Sequence, residues 1–264
     1  MNIMFTLDRN YIDILKTCIR SFTRFRAPDG YDVYILHSDF KDADIEGLNA
    51  AAGAGARLHY IYVEPSLFDK FPDSMRYPKT IYYRIFAAKF LPDTIDRVLY
   101  LDPDTVVINP LDELYNMDFN GNYYIACSHT KDFLNQLNSL RLGVLENRPY
   151  INTGVMMMNL EKLRAEQSEE DVLSYASKKE RVFFLPDQDI ITALYGDKTI
   201  IVDEMKYNLS DRILALRNTV PGDDPIDLEW VEKNTVIIHY CGRNKPWNKD
   251  YRGALDCFYR EITT

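Results

Sequence analysis

Several absences narrow this sequence before any motif is read. Its four cysteines, Cys18, Cys127, Cys241 and Cys257, stand far apart with no Cys-x-x-Cys pair. They form no even framework of the kind found in short secreted chains, so reduced thiols in a cytosolic protein are expected. Positive charge is also short: 31 Lys and Arg against 40 Asp and Glu give a net charge of −9. A nucleic-acid partner needs a clustered basic face and is not expected. An acidic chain that binds a phosphate ligand must supply a metal or a few local Arg and Lys. No stretch approaches the ~18 to 20 apolar residues of a membrane span, and Met1 to Asp8 has neither the basic flank nor the apolar length of a signal peptide. No repeat or Gly/Ser linker marks a domain boundary. The triplet Asn208-Leu209-Ser210 has the form of a glycosylation acceptor but is read as chance, since nothing else points to secretion.

What is present suits a folded α/β chain. With 264 residues, 46% of them hydrophobic, disorder is excluded and most of the unfolded surface can be buried. Residues 2–7 read as a short buried strand, and Tyr11, Ile14, Leu15, Cys18, Ile19 and Phe22 have helical spacing over 10–25. A strand at 31–37, an Ala-rich helix at 42–52 and a strand at 57–63 continue the alternation, which favours a parallel sheet covered by helices. His37 and His59 are read as structural. Residues 80–91 predict one largely buried helix, 123–128 a strand, 160–179 one charged surface helix and 185–194 a helix with acids in its first turn. Residues 150–159 predict a strand opened by an Asn-Thr-Gly turn, with three methionines as core filler. The polar stretch from Ser128 to Pro149 has the character of a loop that covers a site.

The stretch that organises the chain is Val98-Leu99-Tyr100-Leu101-Asp102-Pro103-Asp104. Side chains at i and i+2 of a strand point the same way, so both carboxylates can face one side where the strand ends. Two oxygen donors there suit a divalent cation, while an Asp-Pro-Asp turn is the plainer alternative. Ligands of open α/β sheets sit at the carboxyl ends of strands. Asp8-Arg9-Asn10 could therefore hold a nucleotide base or ribose, or could merely cap the next helix. Arg84 stands alone in an apolar helix and needs a structural carboxylate or a ligand. Near the other end, an apolar strand over 235–239 delivers His239, followed by Gly242 and Lys245. Glycine permits close backbone approach and lysine neutralises phosphate, so the combination favours a ligand over the alternative of a core histidine at His239.

Taken in order, six stretches resemble the family 8 glycosyltransferases, a retaining family with the GT-A fold that includes bacterial lipopolysaccharide galactosyl- and glucosyltransferases and, more distantly, glycogenin. They are Asp8-Arg9-Asn10-Tyr11, Tyr83-Arg84, Leu99 to Asp104, Asn152-Thr153-Gly154-Val155, Asp187-Gln188-Asp189, and His239-Tyr240-Cys241-Gly242 with Lys245-Pro246-Trp247. The resemblance implies one glycosyltransferase domain over 1–264, with the nucleotide handled by about 1–110 and the sugar and acceptor by about 111–264. It implies transfer of galactose or glucose from a UDP-sugar to a saccharide or glycolipid acceptor of a cell-surface glycan. Asp102, Asp104 and His239 would hold Mn2+, with Mg2+ as the alternative ion. Thr6, Asp8 and Asn10 would meet uridine, Pro103 would lie between the two metal-ligating acids, and Gly242 and Lys245 would meet the diphosphate. Arg84, Asn152, Asp187 and Gln188 would surround the sugar, with Asp187 and Gln188 nearest the chemistry. An amide is a poor nucleophile, so Gln188 points to front-face transfer.

Some features depart from the family pattern. Pro103 restricts the backbone between the two acids, and Thr6-Leu7 replaces a smaller pair found in some relatives. The chain ends soon after Trp247 without a basic amphipathic tail, so a soluble acceptor or a partner-dependent, transient membrane encounter from the cytoplasm is expected. The competing readings are nucleotidyl transfer, which usually has a Gly-rich loop after its first strand, and a non-catalytic UDP-sugar-binding protein.

Overall fold

A strand without polar alternation belongs where both of its faces are covered. β1 (Asn2–Thr6) meets that condition. It lies between β2 (Tyr31–His37) and β4 (Arg97–Leu101), parallel to both, and Ile3, Met4 and Phe5 are fully buried. The computed structural model describes residues 1–71, 78–128, 141–143, 148–179, 183–222 and 224–263. Beyond β2, β3 (Ala56–Tyr62) extends the parallel side. On the other flank, β7 (Ile151–Asn159) runs antiparallel to β4 and to β6 (Tyr124–Ser128), and β8 (Thr199–Val202) pairs in parallel with β6. Among the described residues this is a seven-stranded sheet in the order β3-β2-β1-β4-β7-β6-β8.

The pleat sorts the core into two layers. Met4, Tyr100, Met156 and Met158 join one apolar cluster, while Ile3, Phe5, Leu99, Leu101 and Met157 join another. The three methionines are thus core filler on alternate faces of β7, as their sequence suggested. α1 (Ile12–Thr23) buries Ile12, Leu15, Cys18, Ile19 and Phe22, and α2 (Asp42–Ala52) packs beside it. A separate two-stranded ribbon, β5 (Thr105–Val107) antiparallel to β9 (Ile237–His239), lies outside the large sheet. Among the described residues no helix is long and apolar enough to cross a membrane.

Four local expectations are corrected. Residues 79–86 form a 3-10 helix, followed by a short α-helix at Ala87–Phe90, instead of one α-helix. A three-residue repeat eclipses i and i+3, so Ile81 and Arg84 line one cleft while Tyr82, Tyr83, Ile85 and Phe86 are buried. The helix expected over 160–179 divides into Leu160–Glu166 and Glu169–Lys179, because Ser168 Oγ accepts from the Asp171 N–H at 3.1 Å and begins a second helix. The strand expected over 235–239 is limited to Ile237–His239, since only those residues pair with β5. Finally, Asn152-Thr153-Gly154 is strand, not turn. The β6–β7 register jumps between Ala126 and Cys127, and the extra length carries these three residues past the end of β4. The loop expected to cover a site lies largely outside the described residues.

Candidate active site

The end of β4 is shaped as a turn. The Asp102 N–H donates to Gly154 O at 2.7 Å, and Thr105 Oγ1 and N–H both donate to Asp102 O, at 2.8 and 3.2 Å. The Asp-Pro-Asp turn is therefore real, but it does more than reverse the chain. It delivers β5, whose Thr105 stands opposite His239 of β9. This pairing brings an imidazole from near the end of the chain to the two acids. His239 Nε2 is 3.2 Å from Asp104 Oδ1 and 3.7 Å from Asp102 Oδ2. One ligand atom from each of the three residues lies within 4.8 Å of the others. Two carboxylates and an imidazole are a donor set that fits Mn2+ or a similar divalent ion.

Charge around this cluster is tightly balanced. Burial favours the neutral form of Asp104, but His239 and Lys245 outweigh it and hold the carboxyl well below the usual range. Lys245 Nζ donates to Asp104 Oδ2 and, at 2.9 Å, to Tyr240 O. Arg84 resolves the choice posed by its sequence position, because its structural partners are site residues. A guanidinium nitrogen lies 3.0 Å from Asp102 Oδ1, 3.3 Å from Asp187 Oδ2 and 3.3 Å from Thr153 O. The group also stacks 4.4 Å above the Tyr100 ring. Arg84 Nε is buried without an acceptor among the described residues, a donor that a ligand oxygen could satisfy. Burial raises the Asp187 pKa against the opposing pull of Arg84 and a 2.7 Å bond from Thr153 Oγ1.

A cleft of about 160 Å³ opens at the carboxyl ends of β1 and β4. Thr6, Asp8, Arg84, Asp102, Pro103 and Asp104 line it together. Asn152 and Gln188 join through β7: Asn152 Oδ1 accepts from the Gly154 N–H at 3.0 Å, and Gln188 Oε1 accepts from the Thr153 N–H at 3.4 Å. Two expected residues stand differently. Asn10 is exposed and gives its N–H to Asp8 Oδ1 at 2.8 Å, so Asp8 caps the turn as well as lining the cleft; Tyr11 rather than Asn10 reaches the cavity wall. Gly242 has φ of +95° and open space where a side chain would begin, so its turn conformation, not close packing, requires glycine. His37 accepts from the Phe40 N–H and His59 pairs with Asp32, both structural arrangements.

Tyr100, Tyr11, Thr153, Gly154 and Asn208, to which the sequence assigned no individual role, stand in or against the site. Tyr100 OH donates to Asp102 Oδ1 at 2.7 Å and lies 3.2 Å from Thr6 Oγ1. Asp187 and Asp189 also divide in role. Asp189 is fully buried and receives two bonds from Arg141 (2.8 and 2.7 Å), one from Tyr150 OH (2.7 Å) and one from the Phe184 N–H (2.9 Å). Its carboxylate fastens three segments beside the site. Asp189→Ala is expected to lower stability by about 3 kcal/mol, since it removes a carboxylate from a buried, hydrogen-bonded pair. A denaturant midpoint indistinguishable from that of the parent would contradict this structural role.

Similarity to known proteins agrees with this geometry. The model for the family "Glycosyl transferase family 8" matches residues 2–251. A putative glycosyltransferase of Haemophilus influenzae is 29% identical over 253 residues, covering 94% of this chain and 73% of the relative. A lipopolysaccharide 1,2-glucosyltransferase of Escherichia coli K12 is 24% identical over 251 residues, with the same coverage of 94% and 73%. Among solved structures, the galactosyltransferase LgtC in complex with donor and acceptor sugar analogues superposes with a TM-score of 0.82 at 25% identity, covering 99% of this chain and 95% of that one. The fold is accordingly GT-A, with a mixed, mostly parallel sheet flanked by helices. By its near full-length family match and by this site, the chain is a glycosyltransferase and belongs to glycosyltransferase family 8.

Proposed function

We propose that this enzyme transfers galactose or glucose from a UDP-sugar to a saccharide or glycolipid acceptor, with retention of anomeric configuration, using Mn2+ held by Asp102, Asp104 and His239. The observation that carries this reading is the convergence of those three side chains beside the cleft lined by Thr6 and Asp8. When bound, the cation would offset the charge of the diphosphate and stabilise UDP as it departs. Uridine would lie against Thr6, Asp8 and Tyr11. Lys245, joined to Asp104 here, and the Gly242 turn would meet the diphosphate. Residues before about 110 would handle the nucleotide, with His239 and Lys245 returning to complete its site. The two named relatives include a lipopolysaccharide glucosyltransferase, which supports a role in cell-surface glycan assembly.

Arg84, Asn152 and Asp187 would bond the sugar hydroxyls. Asp187 is engaged by Arg84 and Thr153 from two sides, an arrangement that suits orientation better than nucleophilic attack. In front-face transfer the bond from the anomeric carbon to the UDP oxygen breaks as the acceptor oxygen approaches the same face. The acceptor's proton passes to the departing phosphate oxygen, and Gln188 steadies the positive charge that develops on the ring. Incubation with Mn2+ and each UDP-sugar, followed by mass spectrometry, tests the class of reaction. Transfer or slow hydrolysis is expected; pyrophosphate exchange, or binding without turnover, would overturn it. Gln188→Ala is expected to lower kcat by about 10²-fold with little change in KM. A sugar trapped covalently on Asp187 would refute the front-face route.

A further inference from the structure

One backbone group determines the proton arrangement around His239. The Gly154 N–H can only donate, and it lies 3.0 Å from Asn152 Oδ1, so that atom must be an acceptor oxygen. Asn208 places Nδ2 at 2.9 Å from the same oxygen, which turns its own carbonyl oxygen the other way. That oxygen lies 2.8 Å from His239 Nδ1. An amide oxygen only accepts, so His239 must carry its proton on Nδ1. Nε2 faces Asp104 and Asp102, at 3.2 and 3.7 Å, and in the neutral ring it is the nitrogen that carries the lone pair.

The backbone holds this arrangement in register. The Leu209 N–H donates to Ile237 O at 3.0 Å, and the His239 N–H donates to Leu209 O at 2.7 Å, so Asn208 is fixed relative to β9. Asn208 is fully buried and His239 is 3% exposed. The apparent glycosylation triplet at 208–210 is likewise sealed inside the protein.

We infer that Asn208 is a positioning residue that performs two tasks with one amide. Its oxygen selects the Nδ1–H tautomer of His239, which frees Nε2 to bind the cation. Its nitrogen holds Asn152 in the orientation proposed for the donor sugar. The metal-binding half and the sugar-binding half of the site are thereby joined through a side chain that touches neither ligand. This inference rests on the cation site proposed above, but its first test does not. A histidine ligand is commonly oriented by the group bonded to its other ring nitrogen.

Long-range 1H–15N correlation of the metal-free protein, at a pH where the ring is neutral, reads the tautomer directly. Only four histidines are present, and His239→Asn identifies the signal. Protonated Nδ1 is expected for the parent, and a mixture of tautomers for Asn208→Ala; an Nε2–H signal in the parent would overturn the inference. Mn2+ titration followed by electron paramagnetic resonance supplies the second readout. Asn208→Ala is expected to lose about 10- to 100-fold in Mn2+ affinity. Asn208→Asp keeps an acceptor for His239 but puts a carboxylate oxygen against Asn152. It is expected to retain Mn2+ affinity while raising KM for the UDP-sugar more than Kd for UDP. Equal loss of Mn2+ affinity in both variants, with equal loss of thermal stability, would reduce Asn208 to a packing role and defeat the inference. If the parent takes up no Mn2+, the cation reading fails and the tautomer alone decides the role of Asn208.

Discussion

Asp102→Asn is expected to give a folded protein that has lost cation-dependent UDP binding and transfers sugar about 10²- to 10³-fold more slowly. The amide preserves the size of the side chain and an oxygen for Tyr100 OH, but not the charge. Arg84 faces Asp102 at 3.0 Å and keeps Asp187 at 3.3 Å as its remaining counter-ion, so the buried guanidinium is not abandoned. Fold and function are therefore separable at this position. Asp104→Asn should show the same loss of binding together with a lower melting temperature. The Lys245 side chain is only 15% exposed and would lose its ion-pair partner, at a cost of about 3 kcal/mol. Calorimetric titration of UDP with and without Mn2+, beside thermal unfolding, checks both variants. Parental Mn2+-dependent UDP affinity in both would refute the cation site.

Gly154→Ala should be nearly as damaging, although it adds one methyl group. The new Cβ would stand 2.2 Å from His239 Cε1, 2.7 Å from Asp102 Oδ2 and 2.9 Å from His239 Nδ1. Contacts this short cannot persist, so something must move. His239 is poorly able to yield, because Asn208 holds its ring and β5 pairs with its backbone. Gly154 cannot withdraw easily either, since its carbonyl accepts from Asp102 and its N–H donates to Asn152. Relief must come from separating β7 and β9 or from turning the imidazole, and either shift displaces Nε2 from the carboxylates. We expect destabilisation of about 1 to 3 kcal/mol from overpacking, with at least about 10²-fold weaker Mn2+ binding. The two can be distinguished by measuring Mn2+ affinity well below the melting temperature. Normal Mn2+ affinity there would mean that the close approach of glycine to histidine has no bearing on the site.

The residues that announced themselves in the sequence did so through local chemistry. Asp102 and Asp104 end an apolar strand, His239 ends another, and an isolated arginine in a buried segment demands a partner. The strand read at 31–37 and the Ala-rich helix read at 42–52 fell where expected, as β2 and α2. The misplaced elements shared a different property. The 3-10 segment at 79–86 and the extended Asn152-Thr153-Gly154 stretch take their conformation from neighbours distant in sequence, which local propensity does not register. Tyr100 and Asn208 escaped notice for the same reason. A tyrosine in an apolar run looks like core, and an asparagine before leucine and serine looks like surface, until their polar ends are seen to meet Asp102 and His239.

The sequence by itself determined the α/β alternation, the acidic pair, the late histidine and the family, because these depend on residue type and on spacing along one segment. Only the tertiary structure decided how those parts become one site. The β5–β9 pairing carries His239 to the acids, a bulged β7 brings Gly154 against His239 and Asp102, and Arg84 is shared between Asp102 and Asp187. Each depends on contact between residues far apart in the chain, and the energy of such contacts lies in packing and desolvation that no single segment contains.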